Sequence, residues 1–425
     1  MMEKYRGIVP DAALDELHAL SRILRNRSLL HVNSTRTGGG VAEILASLVP
    51  WTESLGVRTR WEVITGSPGF FEVTKSMHNA LQGADIEISH SELQAYLQNL
   101  HENAKRMDMN ADVVVIHDPQ PAYLIDYCPV NPKSLVWRCH IDLSHPNAHV
   151  WRFLRQAVSR YAMVVFHVPQ FAQTGLPVPQ VLIAPSIDPL ADKNRHLDED
   201  EITAVTDRFG IDRGRPILVQ ISRFDRFKDP LGVIKAYKQV RQNFDCQLVL
   251  AGGSATDDPE GPRVRSEVEQ AVAGDPDIFV LSSPSDLEVN ALQRAATVIL
   301  QKSVREGFGL TVTEAMWKGK PVIGGAVGGI TSQIVHGVTG FLVHSPDGAA
   351  FRLRYLLSHP RAAGQMGEKG REHVRHNYLI TRHVRDYLLL MLNILEGRSG
   401  RPILLPRRNG TVILGEKPHE SFSGT

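Results

Sequence analysis

Residues 298–323 read VILQKSVREGFGLTVTEAMWKGKPVI: an apolar run, a loop with two glycines, a helical stretch and a second apolar run. Val298–Gln301 and Pro321–Ile323 are short and almost continuously apolar, which is typical of parallel strands that are buried on both faces. Gly319 and Pro321 end the helical stretch between them. These residues therefore predict a β–α–β unit, the building block of a parallel α/β sheet.

The same alternation of strands and helices extends outward and divides into two series. The predicted strands of the first series are Ser28–Val32, Trp61–Ile64, Asp112–Ile116, Ser134–Trp137, Ala162–Phe166 and Gln180–Ile183. The second series adds, to the two strands above, Pro216–Ile221, Gln247–Ala251, Ile278–Leu281 and Gly340–Val343. Each series has the size of one doubly wound domain, so we predict an α/β protein with two Rossmann-like parallel-sheet domains that face a cleft.

The domain limits follow from the composition between and around these series. Residues 184–201 contain prolines and dense charge, which is typical of an interdomain linker. We therefore predict an N-terminal domain over 1–190, a C-terminal domain over 201–376 and a flexible tail over 397–425. The chain opens with a predicted helix in which Asp11 is the N-cap and Leu14, Leu17, Leu20 and Leu24 form the apolar face.

The chain has 425 residues, of which 42% are apolar, and its 47 Lys and Arg residues almost equal its 46 Asp and Glu residues. This composition excludes a disordered or collagen-like chain. A formal charge of +1 gives no electrostatic reason to expect nucleic acid or a membrane as a partner. The three cysteines form no CxxC pair, and no apolar stretch suits a leader or a membrane span. We expect a soluble cytoplasmic protein.

Two cations follow a predicted strand of the second series. Arg223 and Lys228 lie five residues apart after Pro216–Ile221, at the strand end where open α/β sheets bind ligands. An arginine fork and a lysine point charge at this spacing can converge on a pyrophosphate. The alternative is a solvated cluster of charges, which is the commoner fate of such residues.

The stretch quoted first contains two glutamates. Glu306 lies in the loop, and Glu314 follows eight residues later within the helix. A carboxylate can accept hydrogen bonds from sugar or ribose hydroxyls, and backbone N–H groups of residues 307–310 at the helix N-terminus suit phosphate oxygens. Two carboxylates can also be the acid and base of a glycoside hydrolase, but a hydrolase does not need the phosphate-type features found here.

Polar residues also follow strands of the first series. Asn33 and the glycines at 38–40 come after the first strand, where they form either a ligand loop before a helix or a flexible turn. His117, Asp118 and His140 follow two later strands, and each histidine alone is most simply a structural side chain. Their spacing matches no recognised metal-ligand pattern, so we predict no metal site.

The combination of Arg223 and Lys228 with Glu306 and Glu314 resembles the donor site of the retaining GT-B glycosyltransferases of family four. Within that family, further segments resemble the trehalose glycosyltransferring synthases. Those segments are residues 32–45, 78–83, 117–121, 138–143 and 305–324. The resemblance extends from about residue 28 to residue 395 and leaves out the tail.

This resemblance implies a GT-B fold in which a helix near 380–395 returns to the N-terminal domain. It implies reversible transfer of glucose, with retention, from ADP-, UDP- or GDP-glucose to free glucose, which gives α,α-trehalose. The implied partners are these small-molecule substrates and a second copy of the chain in a homodimer, without nucleic acid or membrane. No cofactor is required, and stimulation by magnesium stays open.

The resemblance also implies a role for each matching residue. Arg223 and Lys228 stabilise the departing phosphates, Glu306 holds hydroxyls of the donor glucose, and His140 bonds the donor hexose; these four are the predicted catalytic residues. The predicted donor-binding residues are Gly39, Gly40, Gly307, Phe308, Gly309, Leu310 and, for the ribose, Glu314. The predicted acceptor-binding residues are Asn33, His117 and Asp118.

The sequence departs from the family pattern at two places. Thr331-Ser332-Gln333 stands where many members carry an acidic residue, and Arg226-Phe227 replaces a commoner Pro-Trp type pair. The preferred nucleotide base therefore stays open. Three alternative functions also stay open: a retaining trehalose phosphorylase, a family-four transferase with another acceptor, and a non-catalytic nucleotide-sugar sensor. A nucleotide-sugar epimerase shares only the fold.

Overall fold

The computed structural model describes residues 1–37, 40–128, 131–253 and 261–397. The chain divides into two compact units. One contains Met1–Asp15, Thr37–Ser47 and Pro185–His383, and we call it the C-terminal unit after its longest segment. The other, which we call the N-terminal unit, contains Glu16–Arg36, Leu48–Ala184 and the chain from Val384 onward. One division between the units therefore falls after Ala184, within the predicted linker.

Strands and helices alternate through the described residues, and each predicted strand overlaps an observed one. The strands are β1 (Ser28–Asn33), β2 (Arg58–Val63), β3 (Val113–His117), β4 (Leu135–Arg138), β5 (Met163–Phe166), β6 (Gln180–Leu182), β7 (Ile217–Ile221), β8 (Gln247–Gly252), β9 (Ile278–Ser282), β10 (Val298–Gln301), β11 (Val322–Gly325) and β12 (Phe341–Val343). The helices are α1 (Asp11–Leu24), α2 (Gly40–Ser54), α3 (Pro68–Leu81), α4 (His90–Arg106), α5 (Ala148–Val158), α6 (Glu199–Arg208), α7 (Pro230–Arg241), α8 (Gly261–Val272), α9 (Asp286–Ala295), α10 (Leu310–Trp317), α11 (Ile330–Gln333), α12 (Pro346–Ser358), α13 (Pro360–Asn377) and α14 (Ile380–Leu395).

The N-terminal unit contains a parallel sheet of six strands in the order β2-β1-β3-β4-β5-β6. The chain order reverses between β1 and β3, which pair in parallel with His31 opposite Val115. The next pairing places His117, the last residue of β3, opposite Arg138, the last residue of β4. Residues that end β1, β3, β4 and β5 therefore meet at one edge of the sheet.

The sheet of the C-terminal unit has the order β12-β11-β10-β7-β8-β9, and all its pairings are parallel. Numbered within the unit, this is the doubly wound order 3-2-1-4-5-6. Its reversal lies between β7 and β10, which places the loops that follow these strands side by side.

The near-continuous apolar runs become strands that are buried along their whole length, as β3, β7 and β10 show. Alternate side chains on one face of each sheet join an apolar core with the flanking helices, and the apolar side chains on the opposite face are buried as well. One local prediction is wrong: α1 begins at Asp11, so this residue is the first of the helix and not its N-cap. The predicted apolar face of α1 is buried. No helix in the described part of the chain is long and apolar enough to cross a membrane.

Candidate functional site

The C-terminal unit gathers the predicted phosphate-binding residues at the carboxyl ends of β7 and β10. Ligands of open α/β sheets bind outside such strand ends, at the point where the strand order reverses. The loop after β7 carries Arg223 and Lys228, and the loop after β10 carries Glu306. We call these three residues the charged cluster.

Lys228 and Glu306 form an ion pair across the two loops. Lys228 Nζ donates to Glu306 Oε2 over 2.6 Å, and Ser303 Oγ donates to the same oxygen over 3.1 Å. Gln220, a buried residue of β7, donates from Nε2 to the Lys228 carbonyl over 2.8 Å. Only 17% of the Lys228 side chain and 8% of the Glu306 side chain are exposed. The fold thus holds a cation and an anion in place, each as the counter-charge of the other.

Arg223, the second cation, keeps contact with solvent. Its side chain is 48% exposed, and Nη2 donates to Asp225 Oδ2 over 3.3 Å. Asp225 also accepts from the Phe227 N–H over 2.7 Å, and the Phe227 carbonyl accepts from the Val304 N–H over 2.8 Å. These bonds tie Arg223 to the loop after β10. A guanidinium fork that is open to solvent suits a phosphate group.

Two glycines permit the loop between Glu306 and α10. Gly309 has a φ of 84°, a left-handed conformation, and directly precedes the helix. Gly329 lies so close to the loop that a Cβ there would stand 2.5 Å from both Gly307 O and Phe308 Cα. Substitution of Gly329 would therefore push the loop away. The first turn of α10 leaves backbone N–H groups without intrahelical partners, as every helix start does.

Gln333, one of the departures from the family pattern, supports this loop. Its side chain is buried, and Nε2 donates to the Phe308 carbonyl. Oε1 accepts from Thr313 Oγ1 on α10 over 2.5 Å. A carboxylate at position 333 would not be able to donate to Phe308. The amide is therefore the group that satisfies both neighbours here.

Glu314 lies on α10 as predicted, with its side chain 1% exposed. Burial raises the pKa of Glu314, and Lys193, whose Nζ lies 3.9 Å from Oε1, opposes the rise. Lys193 Nζ also lies 3.0 Å from Glu43 Oε1 and 3.6 Å from Asp286 Oδ1. Within the described residues, Glu314 Oε2 has no hydrogen-bond partner. Lys193 was not among the predicted site residues, because its only signal in the sequence is its position in the charged linker.

Gly40 is the one member of the triple-glycine loop that the structure describes, since residues 38 and 39, including the predicted donor-binding Gly39, lie outside the described ranges. Gly40 is the first residue of α2 and belongs to the C-terminal unit. A Cβ at this position would lie 3.8 Å from Leu310 Cδ1. The start of α2 therefore contacts the start of α10, and two predicted donor-binding residues are neighbours.

The N-terminal unit carries a second polar group at its own strand-order reversal. His31 lies on β1, His117 ends β3, and His140 and His167 follow β4 and β5. Their rings form a chain of hydrogen bonds: His31 Nδ1 to His117 Nε2 at 3.0 Å, His117 Nδ1 to His140 Nε2 at 2.9 Å, and His140 Nδ1 to His167 Nε2 at 3.1 Å. We call these four residues the histidine cluster.

His31 and His117 are uncharged at neutral pH. Burial and the Arg138 guanidinium lower the pKa of His31 to about 3. Burial, His31 and Arg138 hold the pKa of His117 well below its usual value. Arg138 is fully buried and donates from Nη2 to the Ile183 carbonyl over 2.6 Å. Because a positive charge already occupies this interior, a second one on an imidazole is disfavoured.

Asp118 and Asn33 shape the loops beside the histidine cluster. Asp118 has a φ of 67°, and its carboxylate accepts from the His140 N–H over 2.6 Å. Burial raises the pKa of Asp118 to about 7. The hydrogen bond from the His140 N–H and the charge of Arg138 both lower this pKa, but by less than burial raises it. Asn33 accepts from Trp61 Nε1 over 2.8 Å and donates to the Thr35 carbonyl over 2.7 Å.

These contacts bear on the predicted acceptor residues. Both ring nitrogens of His117 and both terminal atoms of Asn33 already form hydrogen bonds within the protein. Direct contact of His117 with an acceptor would require one of its bonds to open, whereas each terminal atom of Asn33 can form a second hydrogen bond. The acceptor role stays a prediction. His31 and His167 were not among the predicted site residues. His167 directly follows β5 and obeys the rule that selected His140, whereas His31 lies inside an apolar strand.

Neither cluster surrounds a common centre. Within the described ranges, no group of three or more His, Cys, Asp or Glu residues is placed to hold a metal ion. Each ring of the histidine cluster bonds at least one neighbouring ring through its nitrogens. The cations that the charged cluster offers to an anionic ligand are the side chains of Arg223 and Lys228.

Two family models match the chain in succession. Residues 31–173 match the family described as "Trehalose synthase, N-terminal domain", and residues 202–373 match "Glycosyl transferases group 1". The chain is 47% identical to the trehalose synthase of Pyrococcus horikoshii over 93% of this chain and 97% of that protein. It is 42% identical to the trehalose synthase of Rubrobacter xylanophilus over 92% of this chain and 96% of that protein.

Solved structures with a similar fold include other glycosyltransferases. A trehalose-6-phosphate synthase, OtsA, matches with a TM-score of 0.70 and 12% identity over 87% of this chain and 99% of that one. The sucrose-phosphate synthase of Thermosynechococcus elongatus matches with a TM-score of 0.69 and 18% identity over 87% of this chain and 100% of that one. At these identities the similarity concerns the fold, and it confirms the predicted GT-B architecture.

Proposed function

Because the chain belongs to the trehalose synthase family of glycosyltransferases, we propose that it transfers glucose from a nucleotide-α-glucose to the anomeric hydroxyl of free glucose, forming α,α-trehalose with retention. Family membership makes it a trehalose-related glycosyltransferase, and the donor, the acceptor and the stereochemistry are the proposal. The supporting observation is the Lys228–Glu306 ion pair at the strand-order reversal of the C-terminal sheet, with Arg223 in the same loop.

The reaction first requires a stabilised leaving group. Negative charge develops on the nucleoside diphosphate as the C1–O bond of the donor breaks. We assign Arg223 and Lys228 to this charge, together with backbone N–H groups at the start of α10. The fold holds these groups in place before the substrate binds, so little reorganisation accompanies the transition state. With two fixed cations in this role, the proposed reaction requires no metal or other cofactor.

The donor must also be oriented. A carboxylate has several lone pairs, so Glu306 can accept hydrogen bonds from hydroxyls of the donor glucose while it stays paired with Lys228. Glu314 accepts hydrogen bonds from the ribose through Oε2, the atom that lacks a partner within the described residues. His140 bonds the donor hexose, while Gly40 and residues 307–310 line the donor.

The transfer needs no protein nucleophile. The acceptor oxygen approaches C1 from the face that the phosphate leaves, which retains the α configuration. The proton of the acceptor hydroxyl passes to the departing phosphate oxygen. Nucleotide-glucose and glucose thus give trehalose and a nucleoside diphosphate, and the reverse steps split trehalose.

Product analysis tests this proposal. The protein is incubated with glucose and, separately, with ADP-glucose, UDP-glucose, GDP-glucose or glucose 1-phosphate, each with and without EDTA. We expect trehalose from at least one nucleotide donor, in the presence of EDTA as well, and none from glucose 1-phosphate. A nucleotide donor that glucosylates only a different acceptor would overturn the acceptor assignment. Loss of all activity in EDTA would overturn the metal-independent mechanism.

A retaining trehalose phosphorylase is the second candidate. The chain is 28% identical to the trehalose phosphorylase of Pleurotus pulmonarius over 94% of this chain, and it spans 62% of that longer protein. Inorganic phosphate would then bind at Arg223 and Lys228, and no ribose would need Glu314. Trehalose formed from glucose 1-phosphate alone, at a rate that Glu314→Ala leaves unchanged, would establish this alternative.

A further inference from the structure

The histidine cluster contains three histidines that the proposed function does not use. We propose that His31, His117 and His167 are positioning residues whose ring–ring hydrogen bonds hold His140 in one orientation and one tautomer for its contact with the donor sugar. This inference rests on the proposed function, because it takes His140 as the residue that contacts the donor hexose.

Two partners at different angles define the plane of the His140 ring. The ring centroids of His117 and His140 lie 5.2 Å apart, with 23° between the planes. Those of His140 and His167 lie 5.0 Å apart, with 75° between the planes. His31, His117 and His167 are all buried, so water does not compete for these bonds. A single partner would leave the ring able to turn about one hydrogen bond.

The same chain couples the proton positions of its rings. A neutral imidazole has one N–H and one lone pair, so a ring that bonds through both nitrogens donates at one and accepts at the other. Donation must therefore run in the same direction at every link. Either each ring donates from Nδ1 toward His167, or each donates from Nε2 toward His31.

The two directions of donation give His140 different tautomers. A change from one direction to the other requires all four rings to exchange protons together, because every link must reverse. While the chain is intact, His140 therefore keeps one tautomer.

The same contacts limit how the sugar binds. Both nitrogens of His140 are engaged, so a hydroxyl of the donor must replace one ring partner. The remaining partner still holds the His140 ring through one hydrogen bond, and the sugar takes the other.

The experiment compares His31→Leu with His31→Asn in the full chain. His31 lies two rings away from His140 and bonds the cluster through Nδ1, near which an asparagine amide can place a polar atom. We expect His31→Leu to lower kcat about tenfold, the effect of losing a partner that orients a functional histidine. His31→Asn should recover most of this loss. Binding of the nucleoside diphosphate, measured by calorimetry, should be unchanged in both variants.

Imidazole ¹⁵N spectra of the substrate-free protein provide a readout that packing alone does not move. His140→Asn identifies the His140 signals by their disappearance. Wild type should show one His140 nitrogen protonated and the other unprotonated, and His31→Leu should show an average of the two tautomers. The exposed His149→Leu on α5 is the control and should match wild type in rate and spectrum.

Several outcomes would overturn the inference. One is equal kcat in wild type and His31→Leu; another is an equal loss in the Leu and Asn variants together with equal losses of melting temperature. A wild-type spectrum that averages the two His140 tautomers would overturn the single tautomer. If His31→Leu does not fold, His167→Gln and His167→Leu make the same comparison at the other end of the chain. A wild type that makes no trehalose from any nucleotide-glucose would overturn the proposed function, while the substrate-free spectra still decide the state of the cluster.

Discussion

The charged cluster and the histidine cluster lie at the same topological position, each at the strand-order reversal of its own parallel sheet, yet they treat charge in opposite ways. Lys228 and Glu306 keep full charges by pairing, and Arg223 stays about half exposed. In the N-terminal unit, burial and a neighbouring guanidinium keep His31 and His117 neutral. One fold has therefore produced a site of fixed charges and a site of neutral hydrogen-bonding groups.

Under the proposed function, each kind of site suits one part of the nucleotide sugar that we propose as the donor. A diphosphate needs full cations that are fixed before it binds and that keep access to solvent or to a counter-ion. Hexose hydroxyls are neutral, and neutral imidazoles can orient them from the interior without the large penalty of burying an unpaired charge. Removing charge from the charged cluster and protonating the histidine cluster both test this contrast, and removal of the Glu314 carboxylate on α10 sharpens it.

The largest effect is expected from removing a cation of the charged cluster. Lys228→Ala and Arg223→Ala should each lose about 3 kcal/mol of transition-state stabilisation, which is on the order of a hundredfold in kcat. Steady-state kinetics with the preferred nucleotide-glucose measures the loss. Lys105→Ala, which removes an exposed lysine paired with Glu102 on α4, is the control and should keep the wild-type rate. A kcat near that of wild type in both cluster variants would contradict the phosphate assignment.

The second prediction concerns stability and pH in the N-terminal unit. An unfolded histidine titrates near pH 6.5, whereas the pKa of His31 in the folded protein is about 3. Between these values only the unfolded state binds the proton, so the free energy of unfolding falls as pH falls, by up to about 1.4 kcal/mol per pH unit for His31. His117 acts in the same direction. Asp118 opposes them between about pH 4 and 7, because its pKa is raised in the folded state.

Urea unfolding at pH 7, 6 and 5 compares wild type with His31→Leu and isolates the contribution of His31. The wild type should lose stability toward pH 5, since two depressed histidines outweigh one raised carboxyl. The variant should lose about 2 kcal/mol less between pH 6.5 and 5. Parallel curves for the two proteins would show that His31 is protonated alike in the folded and unfolded states, which contradicts a neutral buried imidazole.

The smallest effect is expected at Glu314. Glu314→Ala removes the carboxylate that we assign to the ribose and should weaken binding of the nucleoside diphosphate about tenfold, the value of one hydrogen bond to a charged group. The effect on kcat should be smaller than that of Lys228→Ala, because the ribose is remote from the reacting carbon. Calorimetry measures the affinity, with exposed Glu102→Ala as the control. Unchanged affinity in Glu314→Ala would remove the ribose role.

Local patterns in the sequence predicted the elements and much of the charged cluster. Apolar runs located the strands because a parallel strand buried on both faces must be apolar along its length. Residues that follow those runs, such as Arg223, Lys228 and Glu306, could be selected because ligands bind at strand ends. The Lys228–Glu306 pair itself could not be predicted, because its partners lie on loops after two strands that are adjacent only in the folded sheet.

Lys193 and His31 could not be recognised as site residues from local patterns in the sequence. Lys193 lies in a linker whose composition indicates only a connection between domains, yet the fold brings it within 3.9 Å of the Glu314 carboxylate. His31 interrupts an apolar strand, and nothing local distinguishes an imidazole that bonds another ring from one that bonds a backbone carbonyl. Each depends on a partner that is more than 80 residues away in the chain.

The sequence by itself determined where the strands and helices lie, that the sheets are parallel and doubly wound, and which strand ends carry polar side chains, because these properties depend on short-range periodicity and on residue type. Only the tertiary structure decided the strand orders and, with them, which strand ends meet. Sheet pairing joins segments far apart in the chain, and its energy comes from the packing of whole faces rather than from any local pattern. Pairing β1 with β3, β3 with β4 and β4 with β5 is what turned four separate histidines into one hydrogen-bonded chain.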